Sequence, residues 1–335
     1  MLKNLLFILA FCTTFTLFAQ QPSNYSLYMF NKFSYNPAYA GLDNSLSFTG
    51  LYRNQWSGFT NNPNTQNFNV HMPLYILRGG IGINVENDNL GLEQNLLATL
   101  SYNFQIPVGK IGILSIGASG GIFQKTLDGS LILTPEGQYE GITINHNDGL
   151  LLPTDESSEL TPTFNAGIYF KTESFEAGLS TTNIQEPVIE GTFFSTTLSR
   201  NYFFNASYQF DLLRSFTAHP SILIKSDFIE TQMEASILFK YNDNIFVGGS
   251  FRGYNTNTTD AVVLILGLNL SEKITLAYAY DYTLSDVNQV SSGSHEIMIN
   301  YNLGREIGLS LIHISEPTRR YAISYAVFCL KKKKN

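Results

Sequence analysis

The sequence predicts an all-β fold, a transmembrane antiparallel up-and-down β-barrel of about 14 strands. Short segments alternate apolar and polar residues with period two, as in strands with one dry face and one wet face. Connections are alternately short, as at 242–244 and 271–273, and longer and polar, up to 124–161. Only 14% of the residues are charged, whereas about 25% is usual in soluble domains.

The alternation repeats along most of the chain, and the polar faces carry mainly Asn, Ser, Thr, Gln and Gly. The candidate strands are 45–53, 67–74, 80–86, 95–104, 112–123, 163–170, 175–182, 201–210, 218–225, 233–241, 245–251, 261–270, 274–282 and 295–303. In 261–270 both faces are apolar, so the pattern leaves its orientation open. A soluble β-sandwich also alternates, but it would carry more surface charge. The even strand number also favours a barrel.

Four regions follow from the pattern. Residues 1–19 read as a signal peptide, with Lys3 before an apolar core and a plausible cleavage point after Ala19. Residues 20–43 are predicted to be an N-terminal periplasmic segment, and 44–304 to be the barrel. Residues 309–335 resemble a translated sequencing adapter followed by a poly-A tract, so this tail is predicted to be an artefact.

Charge and composition exclude several classes of function. Of the 20 basic and 27 acidic residues, seven basic and one acidic lie in the signal peptide and tail, which leaves a net charge of −13. So acidic a protein is not expected to bind nucleic acid, whose phosphates need a basic face. Both cysteines, Cys12 and Cys329, lie in the same two end segments.

Catalytic and metal sites are not predicted. The histidines lack metal-ligand spacing, and the acidic loop 149–159 lacks the alternating spacing of a calcium loop. A membrane-embedded hydrolase is disfavoured because no nucleophile lies in a recognisable elbow. We therefore expect no catalytic residue, cofactor or metal.

Three motifs carry a family resemblance. They are N-P-A-Y-A-G at 36–41, Y-R-N-Q-W-S-G-F at 52–59 and S-G-S-H-E-I at 292–297. In this order, after a signal peptide, they resemble the PorP/SprF family of the Bacteroidetes type IX secretion system. The resemblance implies an outer-membrane, non-catalytic barrel that assists export or surface anchoring of a large cargo protein. The implied partners are secretion components, that cargo and outer-membrane lipid. The alternative is a passive porin-like channel or one for hydrophobic solutes.

The motifs supply ten candidate partner-binding residues: Asn36, Pro37, Tyr39, Gly41, Tyr52, Arg53, Gln55, Trp56, His295 and Glu296. We expect the first and last strands to pair, so that the motifs meet at one seam, with 36–41 below it. A shared partner surface and a requirement of barrel closure both explain such convergence.

Individual candidates also have two interpretations. Arg53 could bind a substrate carboxylate or pair with Glu86 or Asp281, since charges inside a barrel are normally paired. Trp56 could be an interfacial girdle residue or a binding platform. His295 and Glu296 should lie on opposite faces of the last strand, so they cannot form one metal site.

Overall fold

In the computed structural model, the described residues are 22–58, 61–129, 132, 135, 137–138, 156–191, 194–253 and 260–304. The predicted signal peptide, the predicted tail and most of the acidic loop 149–159 lie outside this part of the chain.

The chain forms a closed antiparallel barrel of 14 strands, as the alternation predicted. The barrel strands are β1 (Ser47–Asn54), β2 (Asn64–Leu74), β3 (Gly79–Leu90), β4 (Glu93–Val108), β5 (Gly112–Asp128), β6 (Glu156–Lys171), β7 (Phe175–Thr182), β10 (Asn201–Tyr208), β12 (Phe216–Ser226), β13 (Thr231–Tyr241), β14 (Ile245–Arg252), β15 (Ala261–Ser271), β16 (Ile274–Thr283) and β17 (Ser294–Asn302). Three short strands are additional: β8 (Val188–Glu190), β9 (Ser195–Thr197) and β11 (Phe210–Leu213).

The first and last strands close the barrel, which confirms the predicted seam. β1 and β17 pair from Ser47↔Asn302 to Asn54↔His295, so Arg53 lies opposite Glu296. One end of the barrel carries short turns, such as those after Lys171 and Tyr241, and is called the turn end. The other end carries most of the longer connections and is called the loop end. In outer-membrane barrels the longer loops face outside the cell.

The two faces of the wall have opposite chemistry. Large apolar side chains such as Phe68, Leu264 and Ile297 point outward and are about half exposed. Inward positions carry buried polar side chains such as Thr49 and Asn69. An apolar exterior with a polar interior is the arrangement that lipid imposes on a barrel wall.

Residues 22–43 lie inside the barrel rather than in the periplasmic position predicted for 20–43. They form a plug that contains two 3₁₀ helices, Lys32–Ser34 and Pro37–Tyr39. Many of its side chains are fully buried, and its polar groups bond to inward side chains all around the wall. Within the described ranges, no helix is both long and apolar enough to cross a membrane.

Candidate functional site

The plug is fastened near its N-terminal end by the side chain of Glu296. The carboxylate of this last-strand residue accepts hydrogen bonds from the backbone N–H groups of Ser26, at 2.8 Å, and Leu27, at 2.9 Å. Glu296 is completely buried. Because a buried carboxylate needs partners to offset its lost hydration, these bonds tie the plug firmly to β17.

Arg53 joins the same cluster from the first strand. Its guanidinium lies 2.7 Å from a carboxylate oxygen of Asp281 and 3.0 Å from one of Glu296. It also donates to the Ser26 hydroxyl at 2.9 Å. Pairing with Asp281 confirms one predicted interpretation of Arg53. The other predicted carboxylate, Glu86, instead accepts hydrogen bonds from Ser23 and Tyr25 of the plug.

A second arginine completes the cluster, which we call the Ser26 network: Ser26, Arg53, Glu234, Arg252, Asp281 and Glu296. Arg252 contacts Glu234 at 2.8 Å and Asp281 at 3.0 Å, and it donates to the Ser26 hydroxyl at 2.6 Å. The Ser26 hydroxyl in turn donates to Asp281 at 2.7 Å. One plug hydroxyl therefore bridges two guanidiniums and a carboxylate, all of them buried.

The N-P-A-Y-A-G turn holds the other end of the plug. The Asn36 side chain accepts a hydrogen bond from the N–H of Ala38 at 2.9 Å, which caps the 3₁₀ helix that Pro37 begins. Asn103 of β4 donates to the carbonyl of Ala40 at 2.7 Å, and Ser115 of β5 donates to that of Ala38 at 2.6 Å. Polar residues of the wall thus satisfy the buried plug backbone.

The turn can approach the wall this closely because glycine lies opposite it. A Cβ atom on Gly117 would stand 2.6 Å from the backbone of Ala38. Gly117 begins a run of small residues, 117–121, and the plug occupies the space that the missing side chain leaves there.

Gly117→Ala should therefore destabilise the protein by about 1–3 kcal/mol, as expected for overpacking in a filled interior. Unfolding of the refolded barrel in urea would measure the loss. The control is Gly50→Ala, whose added Cβ would meet its nearest atom at an ordinary 3.6 Å. Equal stability of the two variants would contradict the tight contact.

An ion cluster surrounds Tyr39 near the turn end. The Tyr39 hydroxyl donates to Asp43 at 2.8 Å, and Lys171 lies 3.6 Å from the same carboxylate. Burial alone would raise the pKa of Asp43, but the Lys171 ammonium and His71 hold it below its usual value. Gly41, with φ of +71°, donates its N–H to His71 at 3.2 Å. These contacts fix where the plug leaves the lumen and enters β1.

The structure divides the ten sequence candidates into two groups. Six are buried in the contact between plug and wall: Asn36, Pro37, Tyr39, Gly41, Arg53 and Glu296. Four are partly or largely exposed: Tyr52, Gln55, Trp56 and His295. His295 packs against the Tyr280 ring in a tilted arrangement, with 5.2 Å between ring centroids, on the opposite face from Glu296, as alternation requires.

Only two of the three motifs meet at the seam. Trp56 donates its N–H to the Ser294 hydroxyl at 3.0 Å, which joins the second motif to the third. The prediction that 36–41 lies below the seam is wrong, because most of this turn packs against β4, β5 and β6, and its last residue, Gly41, reaches β2. Sequence reasoning also missed Ser26, Glu234 and Arg252, which stand in no motif. The one available signal was that inward charges in a barrel need partners.

The plug separates two cavities. One of about 280 Å³ lies towards the loop end, where Tyr25, Phe33 and Tyr35 of the plug face wall residues such as Asn165 and Asn201. The other, of about 240 Å³, lies at the turn end, against Met29, Lys32 and Tyr39. The lumen is thus filled at mid-height and hollow on each side.

Comparison with known proteins identifies a family and solved structures that this chain resembles. A family model described as type IX secretion system membrane protein PorP/SprF matches residues 17–301. Among solved structures, the Ralstonia pickettii toluene transporter TbuX is similar, with a TM-score of 0.52 and 14% identity over 80% of this chain and 91% of that chain. A Pseudomonas aeruginosa FadL homologue gives 0.40 and 9% over 80% and 92%. At such identities TbuX shows a shared fold alone.

A search of curated proteins gives no match. The family match extends from before the plug to the last strand and includes all three motifs. The chain therefore belongs to the PorP/SprF family of type IX secretion system membrane proteins, and it is an outer-membrane β-barrel.

Proposed function

We propose that this protein is a non-catalytic barrel that assists the secretion or surface anchoring of a large cargo protein by protein–protein recognition. The observation that carries the proposal is the plug, which fills the lumen with buried, hydrogen-bonded chain. A barrel built for free diffusion would leave its lumen as an aqueous channel. A plugged barrel is better suited to present surfaces at its two ends.

The two ends then serve different partners. Cargo meets the loop end, which faces outside, and secretion components meet the turn end in the periplasm. Outer-membrane lipid surrounds the apolar exterior. Of the ten sequence candidates, the four exposed ones, Tyr52, Gln55, Trp56 and His295, are available for direct contact. The six buried ones support recognition by holding the plug and seam in place.

Trp56 gives the sharpest test of recognition at the loop end. Its backbone N–H, which bonds to Ser294, would survive truncation of the side chain. Trp56→Ala should therefore leave the folded barrel intact and reduce cargo delivery. The measurement is the amount at the cell surface of those proteins that disappear when the gene is deleted, with wild type as reference. Phe68→Ala, which removes an outward ring from the lipid-facing wall, is the matched control.

Two results would count against the proposal. If deletion of the gene removes no protein from the surface, the barrel is not a secretion factor. If Trp56→Ala delivers cargo as wild type does, the recognition surface lies elsewhere.

The alternative is a passive channel for small or hydrophobic solutes. The cavity of about 280 Å³ near the loop end favours it, and one solved barrel of similar fold is a toluene transporter. Swelling of liposomes that contain the intact protein separates the two functions. A channel admits small sugars or aromatic solutes, whereas the plugged barrel should exclude them.

A further inference from the structure

The barrel wall is incomplete on one side at the loop end. β6 pairs with β5 over its whole length, from Asp128↔Glu156 to Ile113↔Lys171. On its other side β7 reaches only Ala166, because β7 ends at Thr182. The short strand β8 comes near β6 but pairs only with β9, in a separate sheet. Within the described chain, the loop-end half of β6 therefore lacks a neighbouring strand on its β7 side.

Gln185 shows what this edge requires. Its side-chain amide donates to the carbonyl of Pro162 at 2.5 Å and accepts from the N–H of Phe164 at 3.2 Å. The backbone N–H of Ile184 donates to the carbonyl of Phe164 at 3.0 Å. These are bonds that a neighbouring strand would otherwise make. The loop imitates a strand just above the end of β7 and goes no further along β6.

Strand geometry identifies the next two residues of β6 whose backbone groups point to the β7 side. Backbone groups of alternate residues point to opposite sides of a strand. Because the backbone N–H and C=O groups of Phe164 point to the β7 side, those of Leu160 and Ser158 point to it too. Pro162 lies between Phe164 and Leu160 in the same alternating set. Proline has no N–H, and it is tolerated here because no hydrogen bond to a neighbouring strand is lost. Among described residues, the backbone groups of Ser158 and Leu160 have no partner on that side.

We infer that this edge of β6 accepts an extended strand of the cargo polypeptide. This inference rests on the proposed function, and it specifies where on the barrel the cargo binds. N–H and C=O groups at strand spacing match only another extended backbone, the mode known as β-strand addition. Sheet edges left unpaired are otherwise covered or blocked in native proteins.

The cavity behind the edge indicates what kind of strand fits. Asn165 and Thr182, at the point where β7 leaves β6, both line the loop-end cavity. Asn165 is the β6 residue that lines it, so the end of an added strand nearest β7 would reach the rim of this cavity. Its wall also carries Glu86 and Asp88 without a cationic partner in the described ion pairs, and Lys225 without a carboxylate partner, which leaves one negative charge in excess. The bound strand should accordingly place a polar or basic side chain, rather than an acidic one, where it reaches the cavity rim.

Two proline substitutions test the edge. Leu160→Pro removes the N–H that faces the gap and blocks close approach of a strand, while the β5–β6 ladder keeps its bonds. The variant should fold, judged by heat-modifiable migration, and should deliver little more cargo to the surface than the gene deletion does. Leu160→Ala keeps the N–H and should deliver cargo as wild type does. Thr161→Pro, whose N–H faces β5, should instead weaken the barrel.

The outcomes separate this inference from the proposed function. If Leu160→Pro folds and delivers cargo at the wild-type level, while the gene deletion abolishes delivery, the edge is not the contact and the function stands. If the gene deletion itself changes nothing at the surface, the proposed function has failed. A loss shared equally by Leu160→Pro and Leu160→Ala would assign the effect to the side chain and overturn the backbone contact.

Discussion

Arg53→Ala should lower the free energy of unfolding by about 3–5 kcal/mol, the cost of removing one partner from a buried ion pair. The guanidinium contacts two buried carboxylates, of Asp281 and Glu296, and the plug hydroxyl of Ser26. Without this guanidinium the two carboxylates lose part of the favourable contacts that offset their lost hydration. Arg252 pairs with Asp281 and would still neutralise it, but it makes no ion pair with Glu296 among the described contacts. Urea unfolding of the protein refolded into lipid vesicles measures the difference.

Arg200→Ala is the matched control for the loss of an arginine. Arg200 pairs with Glu186 at 3.4 Å and donates to the carbonyl of Ile184 at 2.6 Å, both in exposed surroundings, and exposed contacts of this kind contribute little to stability. We expect its unfolding midpoint to stay at that of the wild type. If Arg53→Ala were equally silent, the Ser26 network would not be what holds the plug.

Deletion of residues 22–43 should convert a closed barrel into an open one. These residues occupy the lumen between the two cavities, and fourteen strands are enough to leave an aqueous passage when the interior is empty. Planar bilayers that contain the deletion variant should show discrete current steps. The intact protein should show almost none.

A mature chain that begins at Pro22 is the control for this deletion, because it keeps the whole plug and should stay closed. Liposome swelling with small sugars provides a second measurement. A deletion variant that inserts and folds, yet conducts no better than the control, would show that the plug is not the barrier.

The sequence predicted the wall and its closure well because both depend on local alternation. Period-two patterns such as that of 45–53 identify which side chains face lipid, and the last pattern, 295–303, had to meet the first to close the barrel. A lumen ion pair of Arg53 with Glu86 or Asp281 was one of its two predicted interpretations, since an inward charge needs a partner, and the structure shows the pair with Asp281. Each of these inferences uses only neighbours in the chain or a general requirement of barrels.

The plug could not be predicted by the same reasoning. Residues 22–43 have no repeating pattern of apolar and polar residues. In addition, the polar side chains on the inner face of the wall could bind lumen water as well as the backbone of a plug. The only sequence feature that indicated a filled lumen was the segment 261–270, where both faces are apolar. In the structure Val263 and Ile265 point inward and pack against Leu27 of the plug, whereas Val262 and Leu264 face outward. Its second apolar face was a signature of the plug.

The Ser26 network also sets an order for assembly. Ser26 and Glu296 are 270 positions apart in sequence, and Ser26 and Asp281 are 255 apart. The N-terminal segment is made first, yet two of the carboxylates that hold Ser26, those of Asp281 and Glu296, lie on the final two strands. Contacts so distant in the chain form late, because a long loop must close before they contribute. Seating of the N-terminal segment should therefore be the last step of folding, and it would report that the C-terminal strand has been added.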